Sequence, residues 1–598
     1  MASNNFSKID SSSNNHHHNN RKPEPKLVSD AVQTSLAEHA EVREAHVVIV
    51  GAGMSGLSAG LKLARLDYEV VIVEARDRVG GRIETRAFKN DESEHEKGVI
   101  DLGASFLHGV EGNPLVELMK EFKQPVHFED EEEPIKIYSS DGPALPDDVS
   151  KKLKAHAYHT FFESARTDSQ AADSPDLAAS LGSYLYDSKS PLFEAASGPE
   201  ERVVLAHLVG GLESWTGAAL EQVALRWWGF EREFGGKDGV VSCGYGTLVN
   251  LMAQEFVRLG GKLMLGHECL GLEHDAEAGL VRTYVQPTAP DHLPRDEDDG
   301  RIPRPAEQAG FPHSLAPPIT LQSSYSICTL PLGVLKAIVA GDKVPRNFFN
   351  PPLPARRQQA IKRTGFGLLN KVILRYERPW WPVNAPWLVL LPLAHSGSLR
   401  SSSSSASLSS SKSSASSDSS SPSSVWPCIR ASNTGTSMLE STIFATSVKV
   451  QNYVPITGEP ALVFFFGASA GEAIEELTDD AVAEMMHAKL AAHLDVNEED
   501  EPEGPSECIV TRWRADRFSR GSYAYIPPYL KEAWSDEPAT PLDIMEMSRP
   551  LWNGRLGWAG EHCQVDHYAC VHGPHMSGCE EAERIHVAFQ ASASASAV

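Results

Sequence analysis

The clearest pattern in the chain is a change of hydrophobic period across residues 46–82. His46–Val50 is an apolar, β-branched run, the mark of a parallel strand buried on both faces. It meets Gly51-Ala52-Gly53-Met54-Ser55-Gly56, and a helical pattern follows through Leu57, Leu61, Leu63 and Leu66. Val70–Val73 is a second apolar strand, and Glu74 closes it. Asp67 stands in the turn before that strand, and Asp tolerates left-handed backbone. The order strand, glycine turn, helix, strand predicts a βαβ unit. Its glycines serve the tight turn, close backbone approach and helix packing. Free N–H groups at the helix start favour a pyrophosphate. Glu74, eighteen residues past Gly56, is placed to accept ribose hydroxyls. The unit reads as a dinucleotide site.

Further patterns extend an α/β organisation. Lys151–Ala219 is mostly helical, broken around Asp173–Pro175 and Ser188–Pro191. A strand-like entry, a helix at Leu248–Leu259 and a strand at Lys262–Leu265 come next. Tyr325–Lys336 reads as a strand, then a Pro-Leu-Gly turn into a helix. Val372, Leu374 and Tyr376 alternate with Ile373 and Arg375, a strand signature that Lys371 opens. A lysine at a strand start is usually solvated. Strand-rich pattern resumes near Met438 and includes Ala461–Phe466, and Gly557–Ile585 predicts a strand, a loop and a helix. Three stretches carry no such period: the polar residues 1–43, with NNHHHNN; the Pro, Asp and Arg-rich residues 286–320; and the nearly all-serine residues 396–424. None can bury a core, so a disordered tail and two loop insertions are expected.

Composition narrows the function. A chain of 598 residues is long enough for two or more full cores. Its net charge of −26 argues against a direct nucleic-acid partner and suits a cationic ligand. The acidic run 129–133 reads as a solvated loop rather than a ligand trap. Eight scattered cysteines without a CxxC point to a reducing, intracellular compartment, cytoplasmic or nuclear. No apolar run approaches the length of a membrane span.

The remaining motifs share one resemblance. After Glu74 the chain reads EARDRVGGR, with Arg76, Gly81 and Arg82. Val99–Pro114 reads VIDLGASFLHGVEGNP. Residues 370–372 read NKV. Thr511–Pro528 reads TRWRADRFSRGSYAYIPP, and Gly557 onward reads GWAGEHCQVDHYACVHGPHMSGCEEAERI. Together these resemble the flavin-containing amine oxidase family, in its polyamine oxidase and histone-demethylase branch. The resemblance covers about residues 44–285, 321–395 and 425–590. It implies FAD, held by Gly51, Gly53, Ser55, Gly56, Glu74, Arg76, Gly81 and Arg82. It implies that backbone at Ser105 and Phe106 meets the flavin ring and that backbone near Cys269 meets the adenine. Glu561 would bond the ribitol, and the Val571 N–H would face the flavin N1–C2=O edge. Lys371 would be the catalytic lysine, bonded through a water to flavin N5, with Trp513 and Tyr523 lining the flavin and the amine site. Cys570 stands where relatives carry Thr, Ser or an aromatic, so a two-ring aromatic sandwich does not carry over. His108 matches a substrate-facing histidine, or is a buried histidine bonded to a neighbour. Glu213 aligns loosely with a glutamate that holds a substrate ammonium, or is a surface carboxylate. The histidines and cysteines of the last block belong to this signature rather than to a zinc site.

The resemblance implies a discontinuous Rossmann-like FAD-binding domain (44–110, 235–285 and 535–590). A mixed-sheet and helical substrate-binding domain would comprise 111–234, 321–395 and 425–534. The implied reaction is oxidation of a polyamine C–N bond, with molecular oxygen as second substrate and hydrogen peroxide as product. Two alternatives share the motifs: a lysine-specific histone demethylase, and a flavin-bearing interaction protein in which FAD is structural.

Overall fold

The computed structural model describes residues 44–88, 98–128, 135–140, 142–171, 175–288, 319–341, 347–393, 438–494, 501–530 and 537–596. The acidic run 129–133 and the expected N-terminal tail lie outside the described residues, as do the serine run and most of the Pro-rich insertion.

The predicted βαβ unit is the centre of a sheet that has eight strands among the described residues. Strand Glu44–Val50 runs parallel between Val70–Val73 and Ile319–Cys328, with Val47 opposite Val70 on one side and Tyr325 on the other. Lys262–Met264 extends the sheet beyond Val70–Val73, again in parallel. The apolar runs are buried throughout, as a sheet covered on both faces requires. Ile319–Cys328 was expected to fall in the second domain, within 321–395. It lies in this sheet instead. Its first half pairs antiparallel with Leu280–Pro287 and its last three residues pair parallel with Leu556–Trp558. Local pattern identifies a strand but carries no label for the sheet that strand joins.

Helix Met54–Arg65 packs on this sheet, and helix His572–Ser596 packs on that helix. Ser58 Oγ lies 2.8 Å from His575 Nδ1, and Lys62 pairs with Glu583 at 2.9 Å. The helix expected at Leu248–Leu259 begins earlier and spans Tyr245–Arg258. Its cap explains the difference. The Asp101 carboxylate accepts the Tyr245 N–H at 3.0 and 3.2 Å, and Thr85 Oγ1 accepts the Gly246 N–H at 2.7 Å. These side chains satisfy orphan helix donors from far away in sequence.

A second sheet has the order Glu507–Val510, Leu369–Arg375, Ala461–Gly467, Val448–Asn452, Trp387–Leu390, Ile135–Tyr138. Both of its faces are buried. Ile373, Val389, Val463 and Phe465 share a core with Phe161, Leu185 and Leu205 of the helical region. Val372, Leu374, Val450 and Phe464 share another with Ile474, Met486 and Leu490 of helices Ala468–Glu475 and Asp479–His493. The alternation around residue 373 therefore sorts apolar residues between two cores. Lys371 is the third residue of its strand and not its opening one, and only 3 % of it is exposed. Near Met438 the chain forms a helix, Met438–Phe444, before strand Val448–Asn452 begins. Phe106–Leu107, Gly239–Val241 and Val126–Phe128 make a small third sheet. Among the described residues no helix is long and apolar enough to cross a membrane.

Candidate active site

The glycine turn divides its labour as the spacing predicts. Gly51 has φ +107°, and a side chain there would also strike Thr329 Oγ1 at 2.4 Å. A Cβ on Gly56 would lie 1.9 Å from the Gly51 carbonyl oxygen. Gly53 differs from both: the nearest atom to a Cβ there is Gly80 O at 3.8 Å. The middle glycine therefore has room where the other two have none, with only an ordinary contact to Gly80 O at the helix start, the cradle where a ligand's phosphates would bind. Ser55 is buried beside it. Asp67, in the turn before strand Val70–Val73, has φ +61°.

Glu74 is buried and bridges the two ends of this cradle. One oxygen accepts the Ala52 N–H at 2.8 Å and the other the Arg76 N–H at 2.9 Å. Each oxygen keeps accepting capacity for a ribose. Arg76 turns to a different partner. Its guanidinium donates to Asp516 Oδ2 at 2.7 Å and Ser519 Oγ at 2.9 Å, and stands 3.9 Å from Glu74. Gly81, at φ +62°, follows the cradle. Arg82 donates to the Ser522 carbonyl at 2.5 Å and to Glu561 Oε1 at 3.1 Å. Glu561 also accepts the Ala524 N–H at 3.2 Å. Burial pushes the Glu561 carboxyl up, but His562 and Arg82 outweigh it and hold it down at about 2. Cys269 lies at a bulge in strand His267–Asp275, where pairing skips from Cys269 to Gly271. Bulges re-aim backbone groups.

Lys371 is the hub of the second half of the site. Its Nζ donates to Asp101 O at 2.8 Å, Gly103 O at 2.7 Å and Ser105 Oγ at 3.1 Å. Burial pushes its pKa down to about 8, against the pull of Asp101. Burial pushes the Asp101 carboxyl up to about 6, against Lys371, Thr85 and the Tyr245 amide. One lysine thus pins the turn 101–105, and one carboxylate ties that turn to the helix at Tyr245. Asp101, in the stretch Val99–Pro114, carries nothing in its local sequence that marks this role. Two of its partners, Tyr245 and Lys371, are 144 and 270 residues away, so no local spacing reveals them. Trp513 is buried against the same turn, with its indole N–H 3.4 Å from Leu102 O.

Beyond the turn an aromatic floor rises from the second sheet. Phe106 stacks on Trp387 at 6.1 Å and on His108 at 5.8 Å, and lies 6.2 Å from Phe465. His108 Nδ1 is 3.0 Å from Asp238 Oδ2, and its ring meets Trp215 at 5.1 Å. His108 is thus bonded to a neighbour and partly open. Lys449 sits 3.9 Å over Trp387. Tyr523 donates its hydroxyl to Ser214 O at 2.7 Å, which ties it to the short helix Glu213–Thr216. Burial and then the Cys570 thiol raise the Tyr523 pKa. Glu213 accepts the Leu220 N–H at 3.3 Å, and burial pushes its carboxyl up to about 7, with Glu221 adding to the shift. It is no simple surface carboxylate. Cys570 and Val571 precede helix His572–Ser596, at its N-terminal end. Burial and nearby acids, Glu231 first, push the Cys570 thiol up to about 12, so it is an inert wall. Among the described residues no three His, Cys, Asp or Glu side chains converge as a metal set.

A family model described as flavin containing amine oxidoreductase matches residues 54–586. The chain belongs to this family. Its cofactor is FAD, and the helix start at Gly53 with the spare acceptors of Glu74 fits a dinucleotide. Relatives lie on both sides of the expected branch. Lysine-specific histone demethylase 1 homolog 1 of Oryza sativa subsp. japonica is 26 % identical over 554 residues, which cover 90 % of this chain and 52 % of that protein. Polyamine oxidase 2 of Arabidopsis thaliana is 24 % identical over 565 residues, covering 92 % and 89 %. The chain spans about half the length of the demethylase relatives and most of the polyamine oxidase. A putrescine oxidase solved with putrescine bound superposes with a TM-score of 0.58 at 17 % identity, over 91 % of this chain and 99 % of that one. The fold is accordingly that of the flavin amine oxidases.

Proposed function

We propose that this flavin amine oxidase acts on polyamines, spermine, spermidine or acetylated forms, at a C–N bond. The observation that carries the reading is Glu213. It is a partly buried carboxylate with no ion pair among the described residues, one position from the carbonyl that anchors Tyr523. Such a group suits a ligand that brings its own cation. FAD bound at this site would supply the hydride acceptor, with oxygen as its oxidant and hydrogen peroxide as the product.

The chain's own residues set the protonation of the substrate. An amine of pKa about 10.4 costs about 4 kcal/mol to deprotonate at pH ~7.4. Tyr523, Trp513 and Phe106 lower that cost by excluding water from the reacting nitrogen. A carboxylate ~4 Å from a second, charged nitrogen returns up to about 4 kcal/mol at an effective dielectric of ~20. Polyamines carry both kinds of nitrogen. Lys371 holds Ser105 and the turn beneath Phe106 with all three of its ammonium donors; it is the catalytic residue of this reading, and it serves the water used in imine hydrolysis or oxygen activation by releasing one of those bonds.

A lysine-specific demethylase reading has support from relatives that carry that name. Anaerobic mixing with spermine, spermidine and N1-acetylspermine separates the two. We expect at least one polyamine to bleach the flavin band rapidly. A yellow protein bleached by none, but bleached by a methyl-lysine peptide, would replace the polyamine reading with the demethylase one.

A further inference from the structure

Two arginines follow Glu74, at positions 76 and 78, and neither guanidinium is bonded to its carboxylate. Arg78 is taken up elsewhere. It pairs with Glu84, and its Nη1 donates to Gly81 O at 3.0 Å and Val79 O at 3.2 Å. Arg76 stands between two acids. Its Nη1 lies 3.9 Å from Glu74 Oε1, beyond hydrogen-bond reach, and both side chains are less than a tenth exposed. Its Nη2 instead donates to Asp516 Oδ2 at 2.7 Å and Ser519 Oγ at 2.9 Å. Glu74 is left with two backbone N–H donors, those of Ala52 and Arg76. A carboxylate offers about four acceptor sites, so the sites that a ribose needs stay free.

The turn that carries Asp516 is fixed by its own bonds. Asp516 Oδ1 accepts the Phe518 N–H at 2.8 Å, and Asp516 O accepts the N–H groups of Ser519 and Arg520 at 3.1 and 2.8 Å. The Phe518 ring packs against the Arg76 guanidinium at 5.3 Å. Arg517, on the same turn, is engaged by Glu268 and lies 4.5 Å from that ring. Among the described residues, Asp516 and Glu74 are the carboxylates that Arg76 meets. A buried cation that loses its partner is strongly destabilising. Without the Asp516 charge, Arg76 would close the 3.9 Å gap to Glu74 and occupy an oxygen that a ribose hydroxyl needs.

We infer that Asp516 is a positioning residue for the cofactor, 440 positions along the chain from the arginine it holds. It keeps Arg76 off Glu74, so that Glu74 stays open to the hydroxyls of the adenosine ribose. The inference concerns FAD and is independent of which amine is oxidised. Its test strips the full chain of flavin and titrates it, by flavin fluorescence, with FAD and with an FAD analogue lacking both hydroxyls of the adenosine ribose. D516N should raise the Kd for FAD at least tenfold and leave that of the analogue within twofold. In an R76M background, where no guanidinium is left to move, D516N should change the Kd for FAD less than twofold. A D516N variant that binds FAD as tightly as wild type overturns the inference. So does an equal loss for FAD and the analogue, which a loosened turn would give, and so does an undiminished loss in the R76M background. If D516N does not fold, S519A takes its place and should show a smaller rise for FAD alone. A wild-type Kd there, or a shift shared with the analogue, overturns the inference equally.

Discussion

Lys371 commits its ammonium to three oxygens of one turn, at 2.7 to 3.1 Å. Two of them are backbone carbonyls that would otherwise be buried without donors, at about 1–3 kcal/mol each. Replacing Lys371 with Met removes all three bonds while keeping most of the volume. Flavin reduction by amine, or reoxidation by oxygen, should then slow at least tenfold in stopped-flow absorbance. Unchanged rates would show Lys371 to be a structural pin and not a catalytic residue. The NKV motif made this lysine legible in the sequence, but its burial was not legible. Its acceptors are some 270 positions away, and only the folded chain brings them to it. Distance along the chain likewise hid Asp101 and Asp238, whose identities as plain acids say nothing of their neighbours.

At the scale of elements, the glycine turn and its helix were fully legible, since strand, turn and helix are contiguous and each follows from local sterics. They also give a sharp test. A methyl on Gly56 would lie 1.9 Å from the Gly51 carbonyl oxygen, which is backbone and has no other rotamer to adopt. Helix Met54–Arg65 would have to lift from strand Glu44–Val50. Gly56→Ala should therefore be isolated largely colourless, and the flavin-to-protein absorbance ratio reads this directly. A variant with the full ratio would show that the helix yields without loss of the cradle. Elements that depend on remote partners were read less well. The helix at Tyr245 starts early because a distant carboxylate caps it. The strand at Lys371 resembled an amphipathic one because two different apolar cores flank it.

For the whole molecule, buried carboxylates set the response to acid. Glu561 is held at about 2 in the folded chain, against about 4.5 when unfolded. Between those values the unfolded chain binds the extra proton, so stability rises with pH and is lost as pH falls. The contribution is about 3 kcal/mol above pH ~4.5. Asp101, raised to about 6, and Glu213, raised to about 7, act oppositely and lose stability as pH climbs toward neutrality. In denaturant titrations the stability gap between wild type and E561Q should be widest near pH 6 and close toward pH 2. A gap that stays constant would show that Glu561 is not held low. Which stretches share a sheet was the least legible property at this scale. Ile319–Cys328 reads as a strand anywhere, and its membership of the first sheet is decided by partners at 44–50, 280–287 and 556–558.

That strand order has a consequence for how the molecule is made. Cys328 meets Trp558, Arg82 meets Glu561, and Ser58 meets His575, so the earliest described segments close against the latest. During synthesis, strand Ile319–Cys328 waits with the last part of one edge unpaired until some 230 further residues have emerged. A chain stopped before residue 556 keeps that sticky edge and lacks the carboxylate facing Arg82. Such a chain should be isolated with little FAD, a loss that the flavin-to-protein absorbance ratio reads.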